Sequence, residues 1–161
     1  MKINQSFETV PIDSVRPHPQ NPRKGNLSAI SDSVSQNGFY GTIVVQKSTG
    51  YILAGNHRWM AAKALGQAEI HVAYVDVDDD RAVKILLVDN RTGDLAEYDD
   101  NALIELLSKV SNEAGLDGTG YSDEDIDALI GELAEGGEES EEKEASPPSA
   151  PIECPNCGHM F

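Results

Sequence analysis

The stretch YILAGNHRWMAAKALG, residues 51–66, constrains this chain more than any other. A short apolar strand runs into Gly55, and a helix of strong helix formers starts at once and stops at Gly66. A helix N-terminus presents unpaired N–H groups and a partial positive charge, so it attracts anions. Gly55 lets the backbone approach such an anion closely. His57 and Arg58 then fall in the first helical turn, where cations oppose the helix dipole. Their presence makes sense if a phosphate lies between them and the N–H groups; the plainer alternative is that they pair with surface acids. Trp59, Ala61, Ala62 and Leu65 supply the buried face of this helix.

The elements around this stretch are short. Phe7–Val15 reads as an edge strand that tolerates Pro11. RPHPQNPRKGN, residues 16–26, is a loop rich in Pro, Asn and basic side chains. Asn26 is a plausible N-cap for a helix with Leu27, Ile30 and Val34 on one face, ended by Gly38. Residues 42–47 and 51–53 pair as a hairpin, and residues 69–77 alternate as a further strand. Helical patterns cover 79–91, 99–113 and 122–134, the last opened by a Ser122/Asp125 capping box. The order β, α, β-β, α, β, then helices, gives a small α+β fold. The expected organisation is a domain over residues 1–98, a helical extension over 99–134, an acidic Pro/Ser linker over 135–151 and a separate tail over 152–161.

Charge divides the same chain differently. Of 161 residues, 12 are Lys or Arg and 28 are Asp or Glu, a net charge of −16. Residues 1–70 hold seven basic and four acidic side chains, a balance of +3, and the remainder is strongly acidic. Bulk acidity argues against coating nucleic acid. It leaves room for a small anion at one helix N-terminus and for DNA contact through a local basic face. No apolar run approaches the ~20 residues that span a bilayer, and MKINQSFETV lacks the apolar core of a secretory signal. With only two Cys, a reducing, cytoplasmic setting is expected.

Those two Cys lie in the tail, ECPNCGHMF. Cys154 and Cys157 have the C-x-x-C spacing that lets two thiolates bind one Zn²⁺, with His159 a candidate third ligand. No fourth ligand follows, so the site is half-built, shared between two copies as in a homodimer, or completed by a partner. An unmetallated tail is the alternative. Asp76, Asp78, Asp79 and Asp80 form an acidic run that a metal-dependent nuclease could use; the favoured reading is a strand end and a helix N-cap.

Several stretches together resemble the ParB/sulfiredoxin superfamily. Gly55-Asn56-His57-Arg58-Trp59-Met60-Ala61 is similar to the G-E-R-R-x-R-A box of ParB partition proteins, which also follows a strand. Asn56 replaces its Glu, His57 its first Arg and Met60 its third, while Arg58 and Ala61 are kept. Asn21-Pro22-Arg23 resembles the N-P-R of an earlier box. Gly38 to Val45 resembles G-x-x-x-P-I-x-V, with Thr42 for Pro. Asp89-Asn90-Arg91-Thr92-Gly93 resembles E-N-x-x-R, with Gly93 for the final Arg. Thr119-Gly120-Tyr121 onward resembles a run found after ParB-like domains in phage-type DNA methyltransferases.

The resemblance implies a small mixed sheet with helices, and a site for CTP or ATP with Mg²⁺. Arg23, Gly55, Asn56, His57, Arg58 and Asn90 would hold the nucleotide. Asn90 and Asp89 would face the metal, which keeps several waters. His57 and Arg58 would be the catalytic pair, His57 as proton carrier or phosphate donor. Sulfiredoxin chemistry needs a Cys where Asn56 stands, which excludes it here. The resemblance therefore points to a nucleotide-binding NTPase or phosphotransferase tied to DNA partition or modification in a phage or mobile element. The alternatives are a ParB-like DNA nuclease and a non-catalytic module that recruits a DNA-modifying enzyme.

Overall fold

The computed structural model describes residues 3–144. Five strands form one mixed sheet: β1 (Gln5–Pro11), β2 (Arg16–Pro17), β3 (Ile43–Gln46), β4 (Tyr51–Ala54) and β5 (Glu69–Val75). The helices are α1 (Leu27–Asn37), α2 (Asn56–Ala64), α3 (Asp79–Asp94), α4 (Asp100–Glu113) and α5 (Asp123–Glu144). The spatial order of the strands is β1-β5-β3-β4-β2. The β1/β5 and β3/β4 pairs are antiparallel, and β5/β3 and β4/β2 are parallel. The expected α+β class and mixed sheet are therefore found.

The strand expected over residues 7–15 runs instead over Gln5–Pro11, and the start of the expected loop forms a second short strand, Arg16–Pro17, at the opposite edge of the sheet. Pro11 has no N–H to extend the ladder with β5, so β1 stops there. One turn of 3₁₀ helix (Ile12–Ser14) then carries the chain across the end of the sheet. Ile12 N–H donates to Ala68 O at 2.9 Å, and Arg16 N–H donates to Gly50 O at 3.1 Å where β2 joins β4.

Strand alternation divides the core into two layers. Ile43, Val45, Ile52, Ile70 and Val72 pack on the side of α2, against Trp59 and Ala62. Leu53, Val75 and Val77 pack on the side of α3, against Ala82 and Ile85. Trp59 Nε1 donates to Ile12 O at 2.8 Å, which ties α2 to the 3₁₀ turn. Helix α1 lies on α2, and α4 packs on α5 as a hairpin.

Polar side chains set the helix ends. Asn26 Oδ1 accepts from Ser28 N–H and Ala29 N–H, as an N-cap should. Asp78 accepts from Arg81 N–H at 2.8 Å and starts α3. Gln46, 1% exposed, is the second fixture of that end. Its Nε2 donates to Val77 O at 3.1 Å and Asp79 Oδ1 at 2.9 Å, and its Oε1 accepts from Thr49 Oγ1 at 2.7 Å.

Helix α5 continues to Glu144, past the expected end at 134. The sequence there is mostly Glu, a strong helix former, with one Lys, and it offsets the cost of Gly136 and Gly137. Residues 145–161 lie outside the described residues, and with them Cys154, Cys157 and His159. Among the described residues, no helix is long and apolar enough to cross a membrane.

Candidate functional site

The sharp exit from β4 into α2 fixes the site. Gly55 has φ +90°, a left-handed conformation that strains any residue with a Cβ. A Cβ there would also lie 3.3 Å from Ile43 Cγ1, a tight approach to the strand below. Trp59 N–H makes the first intrahelical bond, to Gly55 O at 3.0 Å. The N–H groups of Asn56, His57 and Arg58 have no intrahelical acceptor, and Gly55 has no side chain to cap them.

A cavity of about 180 Å³ opens at this helix start. It brings together Arg23, Gly55, Asn56, His57, Arg58, Asp89 and Asn90, the residues expected to hold a nucleotide and its metal. Asn21, Ile30 and Leu53 complete the lining. Three elements converge there: the Pro-rich loop, the first turn of α2 and the middle of α3. A larger groove of about 560 Å³ lies between α1 and the α4–α5 loop, but its lining contains no Lys, Arg or His. It is a poor place for an anion, so the smaller cavity is the candidate site.

The residues of the cavity divide into those that build it and those left to act. Asn56 builds: its side chain is 5% exposed, accepts from His18 N–H at 3.3 Å and donates to Ile52 O at 3.3 Å. Its backbone N–H, without an intrahelical acceptor, remains for a ligand. His57 also builds. Its Nε2 accepts from Gly25 N–H at 2.8 Å, which places the ring proton of the neutral form on Nδ1. The proton-carrier role expected of His57 is thereby confined to Nδ1.

Arg23 bridges the loop and α3. Its Nη1 donates to Asn90 O at 2.7 Å, and its Nη2 pairs with Asp94 Oδ1 at 2.9 Å. Asn21 Oδ1 accepts from both Arg23 N–H and Asn90 Nδ2, closing the junction. Arg58 is different: among the described residues it forms no ion pair and no side-chain hydrogen bond. Its guanidinium lies over Gly41, whose Cβ, if present, would come within 2.7 Å of Nη1.

Asn21, Gly25, Gly41 and Asp94 are the supports that sequence reasoning missed. Two had a signal. Asn21 lies within the N-P-R stretch, and Gly25 directly precedes the α1 cap. The ring of His57 lies against Gly25, where a Cβ would meet Cγ at 2.7 Å. Among the described residues there is no group of three or more His, Cys, Asp or Glu side chains suited to a metal.

Comparison with known proteins identifies the family. The ParB N-terminal domain family matches residues 2–91. The chromosome-partitioning protein Spo0J of Thermus thermophilus is 31% identical over 95 residues, 55% of this chain and 35% of its own length. A probable chromosome-partitioning protein ParB of Campylobacter jejuni is 34% identical over 93 residues, 54% of this chain and 33% of its own. The chain thus spans about a third of the length of these curated relatives. Among solved structures, the C-terminally truncated ParB of Caulobacter crescentus complexed with CTP-γ-S superposes with a TM-score of 0.57 at 25% identity, covering 67% of this chain and 63% of that one. A domain match over more than half the chain, with the box residues gathered at one helix start, shows that this protein belongs to the ParB N-terminal domain family.

Proposed function

We propose that the chain binds a nucleoside triphosphate at the start of α2, and that CTP is the first nucleotide to test. One observation carries the reading: among the described residues Arg58 is an unpaired cation beside three N–H groups without an acceptor, over a Gly floor, in a cavity that also holds Arg23. An arrangement of that kind stabilises phosphate oxygens. The choice of CTP rests on the Caulobacter relative, which was solved with CTP-γ-S. Asp89 and Asn90 fit Mg²⁺, because Asp89 supplies a carboxylate and Asn90 Oδ1 has no donor among the described residues. When bound, the metal would neutralise charge on the phosphates; this chain's residues would orient them.

Binding is the primary act in this reading. His57 and Asn56 are committed to holding the loop, so slow turnover would rely on His57 Nδ1 or Asp89 for proton transfer. The association with DNA partition follows the relatives' names and is part of the proposal. A nuclease reading finds no support, since Asp78 and Asp79 are engaged as a helix cap and a Gln46 acceptor.

Calorimetry with CTP, ATP and GTP in Mg²⁺ tests the proposal on wild type and Arg58→Ala. Hydrogen bonds to charged groups contribute ~1.5–3 kcal/mol, so the variant should bind at least about tenfold more weakly with unchanged circular dichroism. Unchanged affinity in Arg58→Ala would remove the assignment.

A further inference from the structure

We infer that the loop of the α4–α5 hairpin walls a second compartment of this site, and that the compartment receives the nucleoside part of the ligand. The inference rests on the nucleotide reading above.

A cavity of about 250 Å³ adjoins the first. Its walls are Ala29, Ile30, Ser33 and Val34 of α1, Tyr40 beyond the end of α1, and Thr119 with Gly120 from the hairpin loop. Ile30 and Arg58 line both cavities, so one aliphatic side chain and one guanidinium form the partition. The two sides differ in chemistry. The first holds two cations, a carboxylate and three Asn side chains. The second is largely carbon, and Arg58 is its only charged residue.

A small inorganic anion would satisfy the first compartment alone. A ligand that fills both carries its negative charge beside Arg58 and a largely apolar group just past it. A nucleoside triphosphate has that build. Tyr40, 63% exposed, offers an aromatic face, and every base has a π-face to stack on it. Jointly the cavities reach the ~300–1,000 Å³ range of small-molecule sites, which neither reaches alone.

The wall is held closely. Asn37 Nδ2 donates to Gly118 O at 3.1 Å. A Cβ on Gly118 would lie 2.7 Å from Gln36 Cβ and 2.9 Å from Asn37 Nδ2, and its φ is +79°. Thr119 fixes the loop from within, its Oγ1 donating to Leu116 O at 2.6 Å. The wall lies beyond residue 91, where the family match ends. Ligand choice would therefore depend on a part of the chain outside the shared domain.

Gly118→Val and Asn37→Ala in the full chain test this, the first by forcing the loop off α1 and the second by removing the Asn37 bonds to Gly118 O and Ser33 Oγ. Calorimetry would use CTP and inorganic tripolyphosphate, each with Mg²⁺. Wild type should bind CTP more tightly than tripolyphosphate. Gly118→Val should weaken CTP about tenfold, with Asn37→Ala in the same direction, and both should leave tripolyphosphate affinity unchanged. Unchanged CTP binding in both variants would overturn the inference while leaving the phosphate site intact. An equal fall for both ligands would also overturn it, because the loop would then act on the whole site. Wild type that binds neither ligand would overturn the nucleotide reading itself.

Discussion

The start of α2 and the α4–α5 hairpin are both helical, yet they are tied down in opposite ways. Around α2, side-chain bonds reach far along the chain: Arg23 to Asn90, His57 to Gly25, Asn56 to His18 and Trp59 to Ile12. In the hairpin, most are local: Asp99 to Ala102, Asn112 to Ser108, Thr119 to Leu116 and Ser122 to Asp125. Ser111 Oγ donates to Asp123 Oδ1 across the two helices, and among the described residues the side-chain bond that reaches outside the hairpin is the one from Asn37 to Gly118. A region held by distant partners opens only with the whole domain, whereas one held by neighbours can open alone. The rigid region holds the expected phosphate contacts, and the looser one faces the apolar compartment.

The sharpest way to break this contrast is to remove a buried side chain from each part. Trp59→Ala deletes a core ring and orphans Ile12 O, and should cost ~3–5 kcal/mol, read as a lower urea midpoint for the entire domain. Leu107→Ala, in the hairpin core, should cost ~2 kcal/mol or more. Its loss should appear as faster hydrogen exchange in α4 and α5 while the sheet stays protected. Equal exchange in both regions would make the molecule one cooperative unit.

A smaller effect tests the long-range ties themselves. Gly25→Ala would push a methyl group into the His57 ring and should cost ~1–3 kcal/mol. The double variant with His57→Ala should recover part of that loss, because the obstructing ring is gone. Additive losses would show that the two residues do not share one contact.

The smallest effect belongs to the hairpin cap. Ser122 N–H and Ser122 Oγ donate to Asp125 Oδ2, and these bonds hold its carboxyl below the ordinary value. The folded chain then binds this proton less readily than the unfolded chain. The cap's contribution is complete above the ordinary carboxyl pKa of about 3.9 and is lost as pH falls through the lowered folded value. Ser122→Ala should cost ~1 kcal/mol of helix stability near neutral pH. It should also flatten the acid limb of the helical circular dichroism signal. An unchanged acid limb would place the pH response elsewhere.

Much of this was legible in the sequence because it was written locally. The strand–Gly–helix exit at Gly55, the Asn26 cap and the Ser122/Asp125 box each depend on residues within a few positions. The passage of the chain at Pro11 was misread, because alternation continues through Val15 while the missing N–H of Pro11 ends the ladder. The gathering of Arg23, Arg58 and Asn90 was expected through family resemblance, since no local pattern connects residues so far apart. The assignments of His57 and Asn56 needed geometry. Their residue types suit a ligand, but their atoms are already engaged with Gly25, His18 and Ile52. The hairpin's approach to Arg58 had no sequence signal; it depends on how closely Gly118 lies against α1.

Helix α3 carries a final consequence. One end is riveted by Gln46, a buried neutral amide that touches a carbonyl, a carboxylate and a hydroxyl. The other end is latched by Arg23 through a carbonyl and the half-exposed carboxylate of Asp94. Added salt screens the second fixture and barely reaches the first. An anion entering beside Arg23 competes for the same guanidinium. Thus the helix is a beam with one permanent end and one that answers to ions, and the answering end is the one beside the cavity at the start of α2.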